Sequence, residues 1–349
     1  MGGYVDAVNQ FNRATQAERQ PGSVMKTFGY ITALENGLTP ATMIMDEPIS
    51  LDQGGDLPPY EPTNYSNEFY GPTSLRSGLE NSINVTTVRM ASQVGLDKIS
   101  EVISRFGISE HPKAIYSSVL GSIETSLTNI VTAYSIIVNG GKKVSPAIIE
   151  KIQDRDGQTI YKRDERKCEG CLVQENDTAI PTLYDDRQRI TDTATAYQIT
   201  SMLEGVVQRG TSFRAKSIGK IIGGKTGTTN NSIDSWFIGF SPDLVAGVYV
   251  GFDIPRTLGP RETGGSVALP IFVDFMQNAL RNVPSTPFRV PEDVKFVKIN
   301  RKTGALPTPA TPKEDIIFEA FKLGNAIEED QIVSPKNDTG SQLENMGIY

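Results

Sequence analysis

The chain has 349 residues, 38% of them hydrophobic, and 34 basic against 41 acidic side chains leave a formal net charge of −7. That length buries a sizeable core, the acidic balance argues against a nucleic-acid partner, and no apolar run approaches the length of a membrane span. The single histidine, His111, precedes Pro112 in a loop pattern, so a Ser-His-Asp catalytic set has no placed base; the two cysteines lack the second pair that a zinc site needs. No metal and no cofactor is expected.

Met1-Gly2-Gly3-Tyr4-Val5-Asp6 has neither the basic nor the apolar region of a secretory signal, and no export information is expected from it. Pro21 and Gly22 then punctuate the backbone, and Val24, Met25, Phe28, Ile31 and Leu34 recur at helical spacing until Gly37, which predicts a buried helix beginning at Ser23. Three residues along such a helix is one face, so Ser23 and Lys26 come within hydrogen-bond reach. An amine enclosed by apolar neighbours loses its charged form and takes the serine's proton, and the Ser23 N–H at the positive helix end stabilises a developing oxyanion. An ordinary capping serine followed by a surface lysine has the same local pattern.

Residues 38–73, rich in Pro, Gly, Asn and Asp, show no period and read as a long ordered loop, either a wall of a substrate cleft or scaffolding. From Thr73 an apolar stripe runs to Val94, Leu96–Phe106 gives a second helix, and Ile123–Val138 a third capped by Thr125 or Ser126, together an all-helical lobe at about 73–140. Inside its first stripe, Ser82 and Asn84 would face different ways on a continuous helix. A helix–helix junction there turns both into a cleft, the hydroxyl to relay protons and the amide to bind a substrate amide; helix caps are the plainer reading.

Ile148–Tyr161 reads as a hairpin about Arg155-Asp156-Gly157. Lys167-Cys168-Glu169-Gly170-Cys171 follows in a charged loop, where a local disulfide, the favoured reading, or two free thiols suit the spacing. Thr191-Asp192-Thr193 caps a helix that stops at Gly210, and Ile221–Thr229, Trp236–Phe240 and Leu244–Phe252 form an antiparallel meander on which a helix opening at Pro270 packs. In the first of those strands Gly227 lets a ligand lie along the edge, Thr226 and Thr228 offer hydroxyls to a carboxylate from one face, and Lys225 sits at the cleft rim. The Thr228 N–H is a second oxyanion donor. A phosphate-binding loop does not fit, because no G-x-x-x-x-G precedes the lysine.

Ser23-Val24-Met25-Lys26, Ser82-Ile83-Asn84 and Lys225-Thr226-Gly227-Thr228, in that order, resemble the S-x-x-K, S-x-N and K-T-G set of penicillin-binding proteins and serine β-lactamases. The flanks Phe11–Ala17, Arg19–Ser23, Gly140-Gly141 and Asp234–Phe240 are similar to bifunctional class A penicillin-binding proteins of the 1A type, and the resemblance covers roughly residues 1–325. It implies an α/β (α+β) fold: an antiparallel sheet flanked by helices plus the helical lobe, with the active site between them. Residues 1–285 would be the transpeptidase domain and 286–349 a C-terminal extension.

The implied activity is a peptidoglycan D,D-transpeptidase working through an acyl-serine, with stem peptides as donor and acceptor and β-lactams as donor mimics. By the resemblance Ser23 attacks, Lys26 activates it, Ser82 carries the proton to the leaving group, Asn84 binds the peptide amide, and Lys225, Thr226, Gly227 and Thr228 hold the terminal carboxylate. A D,D-carboxypeptidase or β-lactamase-type hydrolase, or a non-catalytic remnant, are the alternatives; no convincing deacylating glutamate lies between the second and third motifs. The resemblance also implies the periplasmic face of the bacterial inner membrane, which supports the disulfide reading of Cys168 and Cys171. Class A members carry an N-terminal anchor, a glycosyltransferase domain and sheet strands ahead of the serine helix. None is recognised here, so an incomplete sheet and no glycosyltransferase activity are expected, with any membrane attachment made only through a missing anchor.

Overall fold

The computed structural model describes residues 11–54, 58–171 and 180–325; the N-terminal Met1–Asp6 stretch, Gly55, Asp56 and residues 326–349 lie outside them. A 3₁₀ turn, Gly22–Val24, leads into α1, Lys26–Glu35. The predicted helix thus starts later than expected, because Gly22 takes a left-handed φ of 54° and the serine is wound into a tighter turn ahead of the α-helix. Every residue of α1 from Lys26 to Leu34 is buried, the polar Lys26, Thr27 and Thr32 among them.

The stretch read as a loop over 38–73 is closed by two short strands, β1 (Met43–Asp46) and β2 (Gly71–Ser74), paired antiparallel with Asp46 opposite Gly71. Four residues are too few for alternation to declare itself in a segment so rich in Pro and Gly. The helical lobe follows as α2 (Leu75–Glu80), α3 (Asn84–Val94), α4 (Leu96–Arg105), α5 (Tyr116–Val119) and α6 (Leu127–Val138), and Ser126 caps α6 by accepting from the Asn129 N–H. The stripe predicted from Thr73 to Val94 is two helices broken at 81–83.

A hairpin of β3 (Lys151–Gln153) and β4 (Thr159–Lys162) turns at Arg155-Asp156-Gly157, and a second small ladder, β5 (Cys168–Glu169) with β6 (Thr182–Leu183), carries a Cys168–Cys171 disulfide with Cα atoms 5.7 Å apart. The Asp192 carboxylate caps α7 (Thr193–Gln208) by accepting from the Thr195 N–H. The meander is β7 (Gly223–Thr228), β8 (Ser235–Phe240) and β9 (Val245–Val250), in that spatial order. β9 has no further strand neighbour among the described residues. α8 (Leu269–Ala279) packs on the sheet, and β10 (Val294–Asn300) pairs with β11 (Ile316–Lys322).

β8 is buried along its whole length because both of its faces are covered. Trp236, Ile238 and Phe240 join the helical core around α1, while Phe237 points the other way onto Phe272 of α8, ring centroids 4.7 Å apart. Full burial of each such side chain contributes about 1.5–3 kcal/mol. The last hairpin closes over Ala41 with Val297, Ile299 and Phe321, and it sends Glu319 into the interior, where the carboxylate accepts from the buried Arg76 guanidinium of α2.

Candidate active site

The cleft lies where three pieces meet: the serine turn before α1, the α2–α3 junction and the edge strand β7. The turn and the strand touch backbone to backbone. A Cβ built on Gly227 would lie 2.2 Å from the Pro21 carbonyl oxygen, and one on Gly22 would lie 2.6 Å from the Thr228 carbonyl oxygen and 3.1 Å from its nitrogen. Only glycine at both positions allows that approach, which lays the backbone of β7 at Gly227 and Thr228 against the serine turn. The Ser23 hydroxyl is half-buried.

The junction is a Schellman turn. The Ser82 N–H donates to the Leu79 carbonyl at 3.1 Å and the Ile83 N–H to the Gly78 carbonyl at 2.9 Å, with Ser82 at φ 57°. Glycine normally fills that left-handed position, and a residue with a Cβ costs roughly 1–2 kcal/mol there. Serine is tolerated because the surrounding contacts fix it: Lys26 Nζ donates to the Ser82 carbonyl at 2.6 Å and lies 3.3 Å from its hydroxyl, and Lys225 Nζ donates to the same hydroxyl at 2.8 Å. Asn84 begins α3, and its Oδ1 accepts from Lys26 Nζ at 2.7 Å.

Two lysines, both with no exposed surface, therefore converge on one hydroxyl. Burial, and secondarily the charge of Lys225, holds the Lys26 amine well below the usual lysine range. Burial alone brings Lys225 down to about 7. The two short bonds from Lys26, to the Ser82 carbonyl and to Asn84 Oδ1, use the two N–H groups of a neutral amine and leave its lone pair for a proton.

Four details differ from the sequence expectations. Lys26 Nζ bonds to the junction, at the Ser82 carbonyl and Asn84 Oδ1, and not to Ser23. Lys225 is interior and donates to Ser82 and to the Thr226 carbonyl, not placed at the rim. The Thr228 hydroxyl accepts from the Gly264 N–H at 2.9 Å, and the Thr226 hydroxyl lies 3.3 Å from that of Thr211, so both arrive with a protein partner already. Thr226 and Thr228 nonetheless share a face of β7, as its alternation requires.

Several contacts that shape the cleft were not read from the sequence. Arg19 grips Asp234 by two nitrogens, at 3.1 and 2.9 Å, and so ties the approach to the serine turn to the start of β8. Arg76 and Arg209 hold the Glu80 carboxylate two residues before Ser82, and the Thr211 N–H donates to the Glu80 carbonyl. Asn64 accepts from the first N–H groups of α3. Apart from Arg76 and Glu80, one helical turn apart, these partners are distant in sequence, and only a charge left inside an apolar stripe, as with that pair, hints at one.

A serine at the mouth of a helix, a desolvated lysine one turn on and a second hydroxyl between two amines are the kinds of group that acyl transfer through a serine uses. The family profile "Penicillin binding protein transpeptidase domain" matches residues 3–277, and the chain belongs to that family. Penicillin-binding protein 1A of Rickettsia bellii is 51% identical over 342 residues, 97% of this chain and 43% of that protein. Its counterpart from Pseudomonas aeruginosa is 36% identical over 377 residues, 98% of this chain and 45% of that protein. The crystal structure of penicillin-binding protein 1A from Haemophilus influenzae superposes with a TM-score of 0.77 at 31% identity, covering 91% of this chain and 50% of that one. The chain spans less than half the length of those two sequence relatives.

Proposed function

We propose that the chain is the D,D-transpeptidase unit of a class A penicillin-binding protein, joining peptidoglycan stem peptides through an acyl-serine that β-lactams trap. The observation that carries this reading is the convergence of the Lys26 and Lys225 amines on the Ser82 hydroxyl, one helical turn from Ser23. Neutral Lys26 takes the Ser23 proton as Oγ bonds to the carbonyl carbon of the penultimate D-alanine. The resulting oxyanion lies against the N–H groups of Ser23 and Thr228. Collapse breaks the C–N bond to the terminal D-alanine; Ser82 gives its proton to that nitrogen and is reprotonated from Lys26, with Lys225 stabilising the hydroxyl oxygen meanwhile. An amine of a second stem peptide then attacks the ester carbonyl, its proton leaves by the same groups in reverse, and Ser23 is restored.

Thr226 and Thr228 bind the terminal carboxylate of the donor, and Asn84 binds its peptide amide. Lys225 acts through Ser82 and supplies positive potential to the carboxylate. Residues 1–285 form the catalytic unit and 286–349 a C-terminal extension, whose β10–β11 hairpin buttresses α2 through Glu319 and Arg76. The full-length protein would work at the periplasmic face of the inner membrane; among the described residues no helix is long and apolar enough to cross a membrane, and none group as His, Cys, Asp and Glu ligands for a metal. Labelling with a fluorescent penicillin over time tests the reading. Stable, stoichiometric labelling supports the transpeptidase, rapid loss of label would favour the hydrolase, and absence of label a non-catalytic remnant.

A further inference from the structure

Behind Asn84 stands a second tier of buried polar groups. Asp46, at the end of β1, has no exposed surface, and Asn64, on the connection between β1 and β2, is 4% exposed. The Asn64 Nδ2 donates to both Asp46 carboxylate oxygens, at 3.0 and 2.9 Å, and to the Glu68 carbonyl at 2.8 Å. Asp46 also accepts from the Tyr70 N–H at 2.9 Å. With its nitrogen so committed, Asn64 can only turn its oxygen towards α3, where Oδ1 accepts from the N–H groups of Asn84 at 3.0 Å and Val85 at 3.1 Å. The residue before it finishes the cradle: the Thr63 carbonyl accepts from Asn84 Nδ2 at 2.8 Å.

That last bond settles which way the Asn84 amide faces. With Nδ2 held by Thr63, Oδ1 must point at Lys26, to which it is bonded at 2.7 Å. Without the cradle the amide is free to flip, which would put an N–H donor where an N–H group of Lys26 now meets an acceptor. Helix α3 has no cap from its own flank, since the residue before it is Ile83, so its first free N–H groups depend on Asn64.

We propose that Asp46 and Asn64 are positioning residues of the acyl-transfer site, a buried pair that fixes the first turn of α3 and the Asn84 amide so that its oxygen faces Lys26. The proposal rests on the transpeptidase reading for what the orientation is used for; the orientation itself does not. Asn84 Oδ1 favours the protonated form of Lys26, so releasing it moves the Lys26 proton equilibrium further down. The charged groups around that amine are Lys225 from β7 and, behind Asn64, Asp46 from β1.

The test compares the whole chain with Asn64→Ala, with each single exchange Asp46→Asn and Asn64→Asp, and with the reciprocal double exchange. The double exchange keeps a carboxylate to accept from α3 and an amide to bridge it, in swapped places. Penicillin acylation rates are measured across pH, with melting temperature alongside. We expect Asn64→Ala to acylate about 10²-fold more slowly, the scale of a misplacement of about 1 Å, with the acid limb of its profile moved to lower pH. The single exchanges should lose rate and the double exchange should regain most of it. Wild-type rate and profile in Asn64→Ala, or a double exchange no better than the singles, would overturn the proposal. A second readout needs no chemistry: the two Asn84 side-chain amide protons should be separately resolved and protected from exchange in the wild-type chain and lose protection in Asn64→Ala. Unchanged protection contradicts the proposal even if no penicillin binds, whereas absence of labelling in a wild-type chain with the amide locked contradicts only the transpeptidase reading.

Discussion

The two walls of the cleft are held in different ways. The β7 wall is backbone: a ladder to β8 fixes Lys225 opposite Ile238 and Thr228 opposite Ser235, and glycine at 227 lets the serine turn lie against it. The α2–α3 wall is side chains: a left-handed serine, an amide oriented by a loop carbonyl, and ion pairs from Arg76 and Arg209 to Glu80. A backbone wall tolerates changes of side chain and fails when the chains are pushed apart. A wall of polar side chains fails one partner at a time, and each loss strands a buried group at about 1–3 kcal/mol.

Removing the group that links the walls should have the largest effect. Lys26→Ala deletes both the proton acceptor and the bridge to Ser82 and Asn84, and penicillin acylation should slow by about 10²–10⁴-fold. In the wild-type chain the same rate should fall on acidification as the depressed Lys26 amine takes up a proton. A rate in the variant equal to wild type would make another group the base.

Gly227→Ala attacks the backbone wall alone. Its methyl group would need the space of the Pro21 carbonyl oxygen, so β7 must move off the serine turn and carry the Thr228 N–H away, at about 10²–10³-fold in acylation. A fully active variant would show that this donor is not used. Ser82→Gly separates stability from chemistry on the other wall. Relief of the left-handed strain, roughly 1–2 kcal/mol, is offset by the acceptor that buried Lys225 loses, so stability should change little, while acylation falls about 10²-fold with the loss of the relaying hydroxyl. Parallel changes in both quantities would contradict the turn described here.

The smallest effect on chemistry should come from Glu319→Gln. It removes a carboxylate from a buried Arg76 that retains Glu80, and denaturant titration should record a loss of about 3 kcal/mol. Acylation at a temperature where the variant stays folded should change little, which distinguishes a buttress from a catalytic group.

The difference between the walls also decided what could be read beforehand. The meander, the caps at Ser126 and Asp192 and the α7 boundaries follow from short-range pattern, and the structure has them where alternation and capping chemistry place them. The S-x-N junction was expected only as a condition for two residues to face one cleft. The Schellman turn that creates it has serine where the sequence rule asks for glycine, so no stop was visible. The β1–β2 pair escaped because each strand spans four residues, and with it went Asp46 and Asn64, which lie 18 positions from each other, with Asn64 20 and 21 from the α3 residues it holds. Lys225 was placed at the rim because alternation gives the face a side chain takes and not how deep that face lies.

In the proposed reaction Ser23, itself half-buried, takes the acyl group. The direct measurement is mass spectrometry of the chain after reaction with penicillin, whole and then digested, beside Ser23→Ala treated in the same way. One penicilloyl group per wild-type chain, carried by the peptide containing Ser23 and missing from the variant, is the predicted result; an adduct on any other peptide, or an equal adduct in Ser23→Ala, would contradict it.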